Sequence, residues 1–265
     1  MKAQPVSRWR DEAIRGEFLW ASGVAPPLPM HHHPTLQVGV VVKGVLDVAI
    51  AGGFEGRMAA PTLITVPARV PHRVSGVPGS EVEYAQVELP PEENPFMRCA
   101  SVHEGLVVAT RDERACHCFL ELLHASDGER PAAERSKLLE ATADALLAAE
   151  VAELGGRMSH PLVSRVLARL DRTTDRVLTL SELIRSERVS RSTLLRTFRR
   201  EFGGSPHDYH VSVRRNLAFE LIDRGRSVAE ASLEAGFHDQ SHFTRHARTI
   251  LAMGPVSWRR RRRVR

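Results

Sequence analysis

VSRSTLLRTFRREFGGSP, from Val189 to Pro206, is answered later in the chain by GFHDQSHFTRHARTILAMGP, from Gly236 to Pro255. Ser192, Leu194, Arg196, Arg199, Phe202 and Pro206 recur at a constant offset of 49 residues as Ser241, Phe243, Arg245, Arg248, Leu251 and Pro255. A fixed offset is the mark of one supersecondary unit used twice. Each copy reads as a short helix, a tight turn and a second helix. In the first, Ser181 or Thr179 caps a helix running to about Arg188, Val189 sits in the turn and Ser190 caps the next helix. Leu194, Phe198 and Phe202 then fall at i, i+4 and i+8 and make one buried stripe. In the second, Val228 to Ala235 is the first helix, Gly236 makes the turn and Asp239 caps the second helix. Two helices joined this way form a helix-turn-helix, whose second helix fits the DNA major groove.

Between the copies Pro206 to Arg224 reads as one helix, a rod of roughly 28 Å at ~1.5 Å per residue. Such a rod sets two reading helices about one DNA turn, ~34 Å, apart. The motifs V-S-R-S-x-L-x-R-x-F-R-x-E-F-G-x-S-P at 189–206 and G-F-x-D-Q-S-x-F-x-R at 236–245 resemble the DNA-binding domain of AraC/XylS-type transcriptional regulators. The resemblance covers roughly residues 160–262. It implies that Ser192, Leu195 and Arg196 face base edges in one groove, and Gln240, Ser241, Thr244 and Arg245 in the next. Arg196 and Arg245 can each give two donors to guanine. Arg191, Arg199 and Arg248 hold phosphates in this reading. The family has an aromatic and a glycine where this chain has Ala247 and Ala252, so the second unit is expected to be the less stable.

At 265 residues the chain has room for two domains, and 42% hydrophobic with 26% charged residues is ordinary for a soluble globular protein. No run approaches the ~20 apolar residues of a membrane helix. The N-terminus carries no charged-then-apolar leader, so the expected location is the cytoplasm. From Ser159 onward there are 22 Arg and 11 acidic residues, a balance of +11; the whole chain carries +5, so the first 158 residues carry −6. A basic half attracts polyanions through counterion release. The run Arg259 to Arg263 with Arg265 is read as a flexible, phosphate-contacting tail, with a solvated charge run as the alternative. Cys116-His117-Cys118 has no second ligand pair at zinc spacing and reads as part of a helix with Phe119, Leu122 and Leu123.

The first third of the chain has β texture. Residues 1–30 read as an irregular or strand-bearing lead-in, with Trp9 and Trp20 outside the barrel proper. Val38 to Val42, Val45 to Ile50, Leu63 to Val66 and Val82 to Leu89 read as strands punctuated by Gly and Pro. Within them His31-x-His33, then Gln37, then Gly44, followed by Pro67-x-Arg69-x-Pro71-His72, resemble a cupin, the β-barrel sensor half of many AraC-type regulators. Gln37 stands where the cupin pattern has Glu, and Arg69 where it has Gly. His31 and His33 alternate on a strand and can share a target. With Gln37 and His72 they are the candidate effector pocket. A neutral Gln offers no charge to offset a cation, so the favoured reading needs no cofactor. A metal at the histidine cluster and no ligand role at all stay open.

A helix over about Arg111 to Ala125 follows, then a longer one over Ala132 to Leu154, whose stripe Leu139, Ala143, Leu147, Val151 and Leu154 suits dimerisation or packing on the barrel. The expected fold is therefore α+β with two domains. A cupin-like sensor domain occupies 1–108, a helical dimerisation segment 109–154, a linker 155–159 and an all-α domain with two helix-turn-helix motifs 160–262. The expected function is a regulator, not an enzyme, that binds double-stranded DNA in response to a small molecule. It is expected to act as a homodimer, with RNA polymerase as a partner such a factor can meet. The alternative is a metal-dependent cupin enzyme fused to a DNA-binding domain; no G-x-S-x-G or similar nucleophile motif is present.

Overall fold

The computed structural model describes residues 6–23, 28, 30–92, 94–128, 130–156, 160–251, 254–256 and 262–264; for His103, 249–251 and 262–264 it describes the backbone alone. The N-terminal half carries strands β1 (Val6–Asp11), β2 (Gly16–Gly23), β3 (Leu36–Lys43), β4 (Val45–Ile50), β5 (Glu55–Ala59), β6 (Thr62–Val66), β7 (His72–Gly76), β8 (Val82–Leu89), β9 (Val107–Thr110) and β10 (Ala152–Gly155). Helices α1 (Ala100–His103), α2 (Glu113–Asp127) and α3 (Ala132–Ala148) lie among them in sequence. One sheet runs β10-β9-β6-β3-β8-β2-β1-β11, where β11 is Arg262–Val264 from the far end of the chain; the other runs β5-β4-β7.

Strand alternation decides which face of the large sheet does what. Leu36, Val38 and Val40 on β3 and Ala85, Val87 and Leu89 on β8 point to one side, where Phe119 and Leu122 of α2 close a core. Val41 on β3 joins Leu46, Val48 and Ile50 of β4 in a second core between the sheets. Gln37, Tyr84, Gln86 and Glu88 share this inner side and line a cavity in the barrel. Each inward position is two residues from the next, as the pleat requires.

Four expectations are corrected here. Residues 6–23 follow the strand-bearing reading as two paired strands, but Trp9, expected outside the barrel, belongs to the helix-side core of that sheet, stacked on Phe18 with ring centroids 5.3 Å apart. Trp20 packs against the same core and donates Nε1–H to Glu83 at 2.8 Å. The long helix stops at Ala148, not Leu154: Ala152 and Glu153 pair with Ala109 and Val108, and Thr110 Oγ1 donates to the Glu150 carbonyl at 2.7 Å. Sheet-edge pairing overrides the helix propensity of this Ala- and Glu-rich run. The expected dimer stripe is broken up. Leu139 and Ala143 are buried within the chain, Val151 and Leu154 lie past the helix end, and Leu147 is exposed. Finally, Arg262 to Val264 pair in parallel with Arg8 to Arg10, because the outer edge of β1 offers unpaired backbone groups. Arg259 to Arg261 and Arg265 lie outside the described residues, as do Ala252 and 157–159 of the expected linker. The linker's first residues are docked: Gly156 N–H donates to the Ala51 carbonyl at 3.1 Å, and Gly155 (φ +111°) closes onto Gly53.

The C-terminal half is helical over the described residues: α4 (Pro161–Arg172), α5 (Leu180–Glu187), α6 (Arg191–Phe202), α7 (Pro206–Asp223), α8 (Val228–Glu234) and α9 (Gln240–Leu251). Its boundaries follow local chemistry. Thr179 and Glu182 form a capping box at α5, Ser190 caps α6 through the Thr193 N–H, and Gly203 (φ +79°) ends α6 in the left-handed conformation. Ser205 with Asp208 and Ser227 with Glu230 make further capping boxes at α7 and α8. Asp239 Oδ1 accepts from the His242 N–H at 2.7 Å at the start of α9. None of the described helices is long and apolar enough to cross a membrane.

The halves touch directly. Met30 packs into the core of the first helix-turn-helix unit, where a Cβ on Gly203 would lie 2.6 Å from its Cε. His32 stacks on Tyr209 with centroids 4.5 Å apart, and Asn216 Nδ2 donates to the His32 carbonyl at 3.0 Å. Arg69 reaches Asp171 at 3.3 Å, and Tyr209 donates its hydroxyl to the same carboxylate at 2.6 Å. Arg69 has φ +65°, which explains why the cupin pattern favours Gly there.

Candidate reading helices and effector cavity

Helices α6 and α9 are the second helices of the two units. Ser192 and Arg196 are exposed on α6 and Leu195 is half-buried, while Leu194, Phe198 and Phe202 are buried. On α9, Gln240, Ser241, Thr244, Arg245 and Arg248 line one shallow concavity. Arg191 and Arg199 are exposed as well. The outward residues inferred from the repeat therefore share the expected faces. Ser192 Oγ lies 2.9 Å from Ser190 Oγ, so part of its hydrogen-bonding capacity is already used at the cap.

The cavity holds about 670 Å³ and is walled by both halves of the chain. Its interior is apolar, with Leu46, Val48, Ile50, Met58 and Val66 from the barrel. Its mouth carries the expected residues His31, His33, Gln37 and His72, all of which line it. One ring nitrogen from each of His31, His33 and His72 lies within 4.8 Å of the others. His72 donates Nδ1–H to the Val70 carbonyl at 3.0 Å, and His33 Nδ1 is 3.5 Å from Glu88. Burial above all, then neighbouring positive groups, holds His33 well below its ordinary range; burial also lowers His72, against the opposing pull of the Val70 carbonyl and Glu88. His32 falls to about 3, chiefly by burial and then by Arg215. His33 and His72 are thus neutral imidazoles at neutral pH. Such a set suits a metal ion or a hydrogen-bonding ligand.

Three residues at this site are absent from the motif reading. Glu88 supplies from β8 the carboxylate that Gln37 does not, and it also accepts from Thr35 Oγ1 at 2.8 Å. Arg215 enters the cavity from α7 and is only 4% exposed. Its guanidinium donates to Asn216 Oδ1 at 3.1 Å, and among the described residues it meets no carboxylate at ion-pair distance. Burial draws it down to about 10, with Glu88 acting the other way, so it stays cationic at neutral pH. Asn216 joins α7 to the loop that carries the histidines. One signal was present: Arg214-Arg215-Asn216 stands inside a helical stretch whose other residues from Val211 to Phe219, Ser212 apart, are apolar.

Comparisons with known proteins agree with this layout. An AraC-like ligand binding domain matches residues 27–147, and a helix-turn-helix domain matches residues 183–261. The HTH-type transcriptional regulator CdhR of Pseudomonas aeruginosa is 32% identical over 107 residues, and ArgR of the same organism is 27% identical over 106. Each alignment covers 40% of this chain and 32% of the relative, so the chain spans about a third of the length of these curated relatives. The fold of ToxT from Vibrio cholerae is similar along nearly the whole molecule, with a TM-score of 0.55 at 9% identity and 98% of each chain covered. The chain thus joins a domain similar to the AraC-like ligand binding domain, over residues 27–147, to a helix-turn-helix domain over residues 183–261, the two parts that the resemblance to AraC-type transcriptional regulators implies.

Proposed function

We propose that the chain is a one-component transcription factor, without enzymatic activity, whose cavity takes an amphipathic anion. The observation that carries the ligand class is Arg215, a buried cation with no ion-pair partner among the described residues, at the polar end of an apolar cavity. Burying a charge costs free energy unless something compensates it, and a ligand carboxylate would do so. Two solved ToxT structures hold an unsaturated fatty acid and a naphthalenyl butenoic acid, ligands of the same general kind. Double-stranded DNA is the proposed partner of α6 and α9, with a second copy of the chain and RNA polymerase as further proposed partners. Ser192, Leu195, Arg196, Gln240, Ser241, Thr244 and Arg245 read bases in this proposal; Arg191, Arg199 and Arg248 hold phosphates.

The test is oleate binding by calorimetry. Wild type is expected to bind, and Arg215→Gln to bind at least about tenfold more weakly, since a single charge-assisted pair is worth roughly 1.5–3 kcal/mol. Because Arg215 titrates near 10, affinity is expected to be flat from about pH 6 to 8 and to fall as pH rises through 10. Equal binding by both proteins overturns the ligand class.

A second reading has its own observation. Three imidazoles with a ring nitrogen each within 4.8 Å of one another, and Glu88 beside His33, form a set that zinc, iron or nickel would accept. It is the basis of the metal-dependent enzyme alternative. The nearby Arg215 charge and Gln37 in the place of a carboxylate weigh against it. Metal content of untagged protein from metal-replete medium decides: one equivalent, lost in His33→Ala, supports the metal, and a ratio near zero removes it.

A further inference from the structure

Three consecutive residues of α7 face three different surroundings. Arg214 is 1% exposed and reaches toward the second helix-turn-helix unit. Its Nε donates to the Ala235 carbonyl at 2.8 Å, its Nη2 donates to the Gly236 carbonyl, and its guanidinium lies 4.7 Å from the Phe237 ring centroid. Ala235 caps the end of α8, and Gly236 (φ +71°) is the turn leading to α9. Carbonyls at a helix end have no partner within the helix, so Arg214 supplies one from outside. Arg215, one step along α7, faces the cavity, and Asn216, the next, bonds Arg215 on one side and the His32 carbonyl on the other.

A second contact reaches the same turn. Thr174 lines the cavity, and its carbonyl is so close to Gly236 that a Cβ there would lie 2.9 Å away. The turn before the second reading helix is therefore held from α7 and from the cavity wall together. The corresponding turn of the first unit is self-contained. Val189 N–H donates to the Ile184 carbonyl at 3.4 Å, Arg188 takes φ +54°, and Ser190 caps α6. None of the described hydrogen bonds joins that turn to α7.

We propose that Arg214 is a positioning residue for the second reading helix, and that its place on one rigid helix beside Arg215 and Asn216 makes the pose of α9, and not of α6, follow what occupies the cavity. The coupling half rests on the reading of the cavity as the effector site; the positioning half does not. The physical basis is the planar fork of Arg, which grips two carbonyls in a fixed relation to α7 where an ammonium group gives a single point of charge. An anion drawn to Arg215 competes with Asn216 for its donors, and the resulting shift of α7 passes through Arg214 into the turn.

The test uses the full chain and an operator selected from random duplexes, with hydroxyl-radical footprinting to follow the two half-sites separately. Arg214→Ala is expected to weaken protection at the half-site read by α9 about tenfold, comparable to one lost base contact, and to leave the α6 half-site within twofold. Arg214→Lys is expected to recover part of the loss. A parallel loss at both half-sites, or no loss at either, overturns the positioning role. Asn216→Ala spares the core and the turn contacts. It is expected to bind DNA within twofold of wild type and, at oleate concentrations that calorimetry shows to saturate the variant, to lose any change that oleate causes at the α9 half-site. An oleate effect that persists there overturns the coupling. Absence of oleate binding to wild type overturns the coupling together with the reading of the cavity, and leaves the footprint of Arg214→Ala to judge the positioning role alone.

Discussion

The two helix-turn-helix units repeat each other in sequence and are held together by different means. Each has three rings in contact: Phe198, Phe202 and Tyr209 in the first, Phe219, Phe237 and Phe243 in the second. Around the first trio pack Leu162, Leu167, Leu170, Leu183 and Leu194, with Met30 from the β half. Around the second pack Ile222 and Val228 with four alanines, Ala218, Ala231, Ala235 and Ala247. Small side chains bury less apolar area, at about 25 cal/mol per Å². The second unit makes part of the difference up with a polar clamp, Arg214, which the first lacks. One fold can be held by apolar volume in one copy and by hydrogen bonds to a helix end in the other.

The largest expected effect tests the apolar half of this contrast. Phe198→Ala should destabilise the first unit by about 3–5 kcal/mol, measured by urea unfolding. Native-state hydrogen exchange should find α8 and α9 opening more readily than α5 and α6 in the wild type, and equal protection would break the contrast. Next comes DNA. Arg196→Ala and Arg245→Ala should each cost about 1–3 kcal/mol on the selected operator and relax specificity at one base, in different half-sites. Uniform weakening across all sequences would reassign either residue to phosphate contact.

A smaller effect separates the units by pH. The Thr179 backbone N–H first, then its hydroxyl and Arg176, hold Glu182 at about 2. In the second unit the Ser227 hydroxyl and N–H lower Glu230, and the His242 N–H lowers Asp239. A depressed carboxylate adds stability that is present above its unfolded value and is lost as pH falls through its folded value. Acid titration followed by amide signals should therefore show the α5 capping box keeping its contribution until pH falls toward about 2, and the caps of α8 and α9 losing theirs as pH falls through the lowered values of Glu230 and Asp239. The smallest effect is expected for Arg69→Gly. It relieves a positive φ and removes an exposed ion pair to Asp171, so stability should change by less than about 1 kcal/mol. Its readout is faster proteolysis between the halves, and an unchanged rate would show that the pair holds nothing.

Local signals carried much of this molecule. The repeat, the caps at Thr179, Ser190 and Asp239, and the outward faces of α6 and α9 were legible because helix ends and helix periodicity are properties of a few adjacent residues. The four apolar strands were legible for the same reason. The strands at 6–23 were read only as a strand-bearing lead-in. β10 was mistaken for helix, because Ala and Glu favour helix until an open sheet edge offers pairing. Of the stripe read on α3, Leu139 and Ala143 are buried, and they pack within the chain's own helix-side core.

The effector pocket shows the division most clearly. Sequence alone pointed to His31, His33 and His72 as one site through the resemblance to the cupin spacing; the strand alternation expected of His31 and His33 is corrected, since both precede β3 and His31 makes only an isolated bridge to His72. It also determined the repeated helix pairs and the basic charge of the half that carries them. Only the tertiary structure decided that the cavity ends on α7, that Glu88 stands where Gln37 cannot serve, and that Arg215 meets no ion-pair partner among the described residues. Arg214, Arg215 and Asn216 are neighbours in the chain, yet each belongs to a different surrounding. A helix turns ~100° per residue, and what each residue meets is set by other parts of the chain, from 21 residues away for Arg214 to 184 for Asn216.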